Sequence, residues 1–263
     1  MTVQHHEDSL AAYVRRVRQD PDVLGVVLGG SVAHGTERAD SDVDLFLLLT
    51  EDAFAEHARQ NRFSYVDREQ ITYAGGYFDI KVISLDYLAQ AADHGDDPTR
   101  SSLARARVAW SRIDDLDARV AAVADLPAEV WEQRIGSFIA QVRLHGGYFV
   151  NQASKLDNSY LLHHAAVHLV GAGGRALLAL NRTFFPGHKY LEPTLAALDR
   201  IPVGYQDTAR AALSRPGVET ATVYRDLLEA FHPWPLTQQS TLSTFVRDNE
   251  LSWLTGTAPP EYS

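Results

Sequence analysis

Two short apolar runs, Val23–Leu28 and Val43–Leu49, bracket a glycine-rich and acidic segment, and this pairing restricts the fold more than any other feature of the chain. Runs of this length bounded by turn residues suit buried strands. The first ends in Gly29-Gly30-Ser31, where a missing Cβ lets backbone N–H groups come close to phosphate oxygens. The second opens on Asp42-Val43-Asp44, and side chains at i and i+2 of a strand share one face. A phosphate cradle is thus expected beside two carboxylates able to clamp a divalent cation.

Composition removes several alternatives. The formal net charge is −10, with no basic block, which argues against an extended nucleic-acid footprint and favours a small substrate. No apolar stretch approaches the roughly 18–20 residues that a membrane helix needs, so no membrane role is expected. Cysteine is absent, which excludes disulfides and thiolate chemistry. The polar start of the chain has no signal-peptide pattern, and the cytoplasm is the expected location.

The 263 residues read as an α+β protein in two parts. Residues 1–125 alternate helical and strand signals: a helix over 10–17, the two apolar strands, a helix after Thr50, a hairpin of 69–73 and 77–84 around Ala74-Gly75-Gly76, a helix from Ser84, a strand at Arg107–Ser111 and a helix over 114–124. From Pro127 onward the pattern is helical: 129–150, 156–180, 191–198, 205–213, Val218–Phe231 and 242–254. A mixed sheet flanked by helices (1–125) followed by an all-helical domain (126–263) is the expected architecture, with a substrate cleft between them.

A third carboxylate completes the pattern. In Tyr77-Phe78-Asp79-Ile80-Lys81-Val82, the alternation puts Asp79 on the face opposite Phe78, Ile80 and Val82. If this strand lies beside Val43–Leu49, Asp79 joins Asp42 and Asp44. Three clustered carboxylates call for cations or retained protons, and hard oxygen donors select Mg²⁺.

Gly-Gly-Ser-x-Ala-x-Gly at 29–35, Ser41-Asp42-x-Asp44 and Asp79 resemble the DNA polymerase beta-like nucleotidyltransferase superfamily. The helical second half resembles its small-molecule branch, which includes aminoglycoside and lincosamide nucleotidyltransferases. The resemblance implies a nucleotidyltransferase fold and transfer of a nucleoside monophosphate, with ATP the expected donor, to a hydroxyl of a small acceptor such as an antibiotic, releasing pyrophosphate. It further implies that Gly30 and Ser31 contact the β- and γ-phosphates, and that Asp42, Asp44 and Asp79 hold two Mg²⁺ ions, Asp79 also assisting deprotonation of the acceptor. In the antibiotic-modifying branch a carboxylate of the helical half often acts as base; Glu129, Glu132 and Asp157 are candidates. Lys189, with Asn181 second, is the expected helical-domain contact to the nucleotide.

Other features read more plainly. His163, His164 and His168 lack the glutamate of a zinc-protease helix and are expected in a core or lining a cleft. Gly171-Ala172-Gly173-Gly174 follows no strand, so it reads as a helix break or a close helix–helix approach, with Arg175 in a surface ion pair. Asp93, Asp96 and Asp97 are expected to be solvated, and His5 and His6 to lie in a mobile terminus. Two other functions compete: a non-catalytic nucleotide-sensing or partner-binding protein, and an antitoxin-type transferase of AMP to protein.

Overall fold

The apolar runs pair into one five-stranded sheet in the computed structural model, which describes residues 3–260. The strands are β1 (Val23–Leu28), β2 (Val43–Leu49), β3 (Ser64–Asp67), β4 (Phe78–Ile83) and β5 (Arg107–Ser111), in spatial order β3-β4-β2-β1-β5. β2 and β4 run parallel, and the other neighbours are antiparallel. The accompanying helices are α1 (Gln4–Val17), α2 (Gly30–His34), α3 (Glu51–Arg59), α4 (Leu85–His94), α5 (Asp97–Ala104) and α6 (Leu116–Ala122). The chain divides into two units, Met1–Asp125 and Leu126–Ser263, and the sheet belongs to the first.

Strand alternation separates two cores. On one face Val26, Leu28, Val43, Leu45, Leu47, Ile80 and Val82 pack with Leu10 and Tyr13 of α1. On the other, Val27, Phe46, Leu48 and Ile83 pack with Leu88, Leu103, Leu116 and Val120 of α4, α5 and α6. Each buried aliphatic chain is worth roughly 1.5–3 kcal/mol. A one-residue slip of β2 would exchange the residues packed on its two faces and turn Asp44 into the core beneath α1, so the register that places the aspartates is enforced by burial.

Side-chain caps begin three of the helices. Thr50 accepts from Ala53 N–H at 3.4 Å, Ser84 from Tyr87 N–H at 3.1 Å and Asp96 from Thr99 N–H at 2.8 Å. The buried Arg100 then joins α4, α5 and α6, donating to the carbonyls of Gly95, Ala92 and Val123.

Several local expectations are corrected. The partner of β4 is Ser64–Asp67 rather than 69–73. Gly75 and Gly76 do not form a two-strand turn; the Tyr73 ring folds back over Gly76, where any Cβ would fall 2.3 Å from it. Asp97 is buried in α5 rather than solvated. His5 and His6 lie inside α1, and His6 is fully buried.

The second unit is helical throughout, with no strand among its described residues. It comprises α7 (Ala128–Arg143), a π-helical stretch (Leu144–Phe149), α8 (Val150–Lys155), α9 (Ser159–Leu180), α10 (His188–Ala196), α11 (Tyr205–Ser214), α12 (Val218–Phe231), α13 (Thr241–Phe245), a second π-helical stretch (Val246–Glu250) and α14 (Ser252–Thr255). The expected helices over 129–150 and 242–254 are thus each interrupted by a π-helical stretch. α9 passes unbroken through the Gly171–174 stretch because the glycines admit neighbours: a Cβ on Gly173 would lie 2.2 Å from the Tyr224 hydroxyl. That hydroxyl is held by Tyr205 at 2.9 Å and donates to the Val170 carbonyl at 3.2 Å. Arg175 is buried between Phe138 and Phe185, at 4.5 and 4.7 Å, rather than at the surface. No described helix is long and apolar enough to cross a membrane.

Candidate active site

Parallel pairing of β2 with β4 sets Asp44 directly beside Asp79. Asp42, two residues before Asp44, falls on the same face at the end of the sheet. One oxygen from each of the three carboxylates lies within 4.8 Å of the others, and all three residues are half-buried. Two full charges at that separation repel by on the order of 3 kcal/mol in a protein-edge environment. Neutral hydroxyls meet two of them: Tyr77 hydrogen-bonds Asp42, and Ser64 donates to Asp79 at 3.5 Å. The hydrogen bond to Asp42, with the charge of that carboxylate behind it, holds the Tyr77 phenol above its ordinary pKa. Tyr73 is raised as well, by burial first and then by Asp42.

The glycine turn meets the carboxylates from β1. Gly29 N–H donates to the Asp44 carbonyl at 2.9 Å, tying the end of β1 to the start of β2. Gly30 has φ +60°, and a Cβ there would lie 1.7 Å from Asp44 Oδ2. Only glycine fits: the position demands both left-handed backbone and room for a carboxylate. Gly30 and the half-buried Ser31 open the single-turn helix α2 instead of a plain turn.

A cavity of about 680 Å³ opens on the opposite face of the sheet, lined by Tyr13, Arg16, Leu49, Glu56 and Tyr65 among others, and none of the trio lines it.

The remaining sequence candidates belong to the second unit. Lys189 is exposed near the start of α10, its Nζ 5.1 Å from the Tyr190 ring centre. Asn181 closes α9: its amide donates to the Leu177 and Arg200 carbonyls at 2.8 and 2.9 Å, and its Oδ1 accepts the Arg200 N–H at 3.1 Å. Glu129, Glu132 and Asp157 are exposed. Of the histidines, His164 and His168 stack at 4.1 Å and His168 stacks on the buried His145 at 5.0 Å. No ligand set containing them forms among the described residues, where the aspartate trio is the one group with metal-ligand spacing.

Sequence reasoning passed over Tyr77 and Ser64. The alternation that placed Asp79 also puts Tyr77 on its face, so Tyr77 was within reach; Ser64 needed the pairing of β3.

One family model matches part of the chain. Residues 10–89 match the family described as "Nucleotidyltransferase domain", a stretch that runs from α1 into α4 and contains the turn and all three aspartates. Comparison with curated proteins returns no match. Among solved structures, a nucleotidyltransferase-like protein from Exiguobacterium sibiricum 255-15 is similar over 92% of this chain and 77% of its own, at 12% identity and a TM-score of 0.48. The similarity of residues 10–89 to a nucleotidyltransferase domain thus falls on the first unit, on the stretch that brings the carboxylate trio together at one end of the sheet.

Proposed function

We propose that the protein is a Mg²⁺-dependent nucleotidyltransferase that moves a nucleoside monophosphate, with ATP the expected donor, onto a hydroxyl of a small molecule and releases pyrophosphate. One observation carries the reading: carboxylates from β2 and β4 converge within 4.8 Å beside a glycine whose missing side chain leaves Asp44 its place. The donor set fits the ion, since three hard oxygen ligands with half-open exposure match a hard cation that keeps several waters.

Asp42, Asp44 and Asp79 would hold the metal, which when bound neutralises charge developing on the transferring phosphoryl oxygens. The protein's own groups set up the rest. Gly30 and Ser31 would bind the β- and γ-phosphates, and the close approach allowed by Gly29-Gly30 brings backbone donors to them. Asp79 would accept the proton of the attacking hydroxyl, which lies within its reach once that oxygen shares the site. Holding both reactants in line supplies much of the rate by positioning alone. Lys189 is proposed as a further triphosphate contact. Asn181 is left out of this reading because its amide already serves the backbone of Leu177 and Arg200.

An antibiotic is one class of small acceptor within this proposal, and a cytoplasmic setting, where nucleoside triphosphates are abundant, accords with it. The test is a pyrophosphate-release screen of each nucleoside triphosphate against aminoglycosides, lincosamides, sugars and nucleosides. Turnover with one acceptor, abolished by Asp42→Asn, is expected. Magnesium-independent nucleotide binding without pyrophosphate release from any acceptor would favour a sensing role instead. AMP found on a protein partner by mass spectrometry would favour protein modification.

A further inference from the structure

Asp42 follows an exposed stretch, 38–40, yet the peptide that joins it to Ser41 is held from two sides. The Ser41 carbonyl accepts the Tyr73 hydroxyl at 2.7 Å and His6 Nε2 at 3.1 Å. Two residues earlier the Ala39 carbonyl accepts His5 Nε2 at 2.9 Å, and Val3 N–H donates to Glu37 Oε1 at 2.8 Å. A carbonyl only accepts, so both imidazoles present an Nε2–H.

The three rings support one another. His5 stacks on Tyr73 at 4.2 Å, and His6 lies 4.4 Å from His5 and 4.8 Å, edge-on, from Tyr73. Gly76 lets the Tyr73 ring lie against the backbone. The Ser9 hydroxyl donates to the His5 carbonyl at 2.7 Å and meets Thr72 Oγ1 at 3.0 Å, joining α1 to the 68–77 loop. His6 is fully buried and its Nδ1 has no partner among the described residues. A buried polar atom left unsatisfied is costly, and an aliphatic chain would fill the same space without that cost. What the imidazole adds is the donor to Ser41.

We propose that His6 and Tyr73 are positioning residues for Asp42, aiming its carboxylate at Asp44 and Asp79 before a cation arrives. The inference rests on the metal-site reading above. Three like charges push one another apart, and Asp42, the one that precedes β2 rather than lying within it, is the one that can swing away. Fixing its peptide in advance removes the ordering that metal binding would otherwise have to drive. The histidine–tyrosine cluster thus acts on the cation through Asp42 and touches neither cation nor substrate.

The test titrates the full chain with Mn²⁺ by calorimetry, alongside thermal melts and the Mn²⁺ dependence of pyrophosphate release. Tyr73→Phe keeps the ring stack and removes one donor; it should weaken Mn²⁺ roughly tenfold, the scale seen when partners of metal ligands are removed, with little change in melting temperature. The metal concentration for half-maximal activity should shift more than kcat. His6→Leu should weaken binding similarly, and His6→Gln, which returns an amide donor, should recover part of it. Wild-type Mn²⁺ affinity in Tyr73→Phe, or a loss that merely tracks a lower melting temperature, would overturn the inference while leaving the metal site standing. No Mn²⁺ binding by the wild type would overturn the metal reading and this inference with it.

Discussion

Gly30 offers the sharpest perturbation, because its neighbourhood separates two effects that a glycine substitution usually mixes. Gly30→Ala puts a Cβ 1.7 Å from Asp44 Oδ2 and 2.5 Å from its Cγ, at φ +60°. Gly35→Ala meets the same left-handed backbone, φ +66°, but finds nothing within 4 Å. The backbone penalty is about 1–2 kcal/mol in either case. In Gly30→Ala the Asp44 carboxylate must also withdraw by about 1.3 Å to reach the 3.0 Å below which such contacts essentially do not occur. A misplacement on the order of 1 Å at reacting groups costs about 100-fold. Calorimetric Mn²⁺ titration and pyrophosphate release, with thermal melts for both variants, separate the terms. Both alanines should melt a few degrees lower, while Gly30→Ala alone loses Mn²⁺ affinity and about 100-fold or more in turnover. Equal Mn²⁺ binding and turnover in the two variants would refute the claim that Gly30 exists to make room for Asp44.

Four more outcomes are expected, one at the same site and three in the second unit. Asp79→Asn keeps the shape of the site but removes one of its charges, and should lower kcat/KM by roughly 100-fold or more, at the scale of metal charge stabilisation, with a metal-free melting temperature equal to or above the wild type's because a repulsion is relieved. His145 is buried; desolvation first, then His168 and His164, depress its pKa to about 3, and its Nδ1 lacks an acceptor for a second proton. The unfolded chain therefore takes up a proton below about pH 6.5 that the fold refuses. Stability of the second unit should be unaffected above that pH, fall by about 2 kcal/mol by pH 5, and level off only below about pH 3; His145→Phe should flatten this slope in pH-dependent denaturant melts. Gly173→Ala drives a Cβ into the doubly hydrogen-bonded Tyr224 hydroxyl and should destabilise by about 1–3 kcal/mol. Gly171→Ala, with nothing within 4 Å, should stabilise by up to about 1 kcal/mol through helix propensity, both read from urea midpoints.

The features legible in the sequence were those written in local pattern. Uninterrupted apolar runs marked β1 and β2, alternation marked β4, and Thr50 and Ser84 marked helix starts. The convergence of Asp42, Asp44 and Asp79 needed one condition more, that β4 lie beside β2, which the structure supplies as a parallel pair. The same kind of signal was present for α5, where Asp96 caps and Pro98 sits in the first turn, but its acidic residues read more readily as solvated. β3 stayed hidden because an edge strand exposes alternate residues: Ser64 and Val66 face outward and little apolar content remains. The glycines at 75 and 76 misled for a physical reason: Gly76 makes room for the Tyr73 ring and Gly75 takes a left-handed backbone at φ +79°, and neither turns a hairpin. The clamp on Ser41 was out of reach, because its bonds join residues more than 30 apart and no local spacing encodes them. Arg175 looked like a surface cation because charge favours water, whereas in the fold two aromatic faces take the place of water.

In the proposed function the trio of Asp42, Asp44 and Asp79 is where a divalent cation meets a nucleoside triphosphate. A crystal structure with Mn²⁺ and a non-hydrolysable ATP analogue, with anomalous scattering recorded for manganese, would locate both. An anomalous peak coordinated by Asp42, Asp44 and Asp79 is expected, with the triphosphate against Gly30 and Ser31. Nucleotide bound elsewhere, or manganese absent from the trio at saturating concentration, would contradict the proposed function.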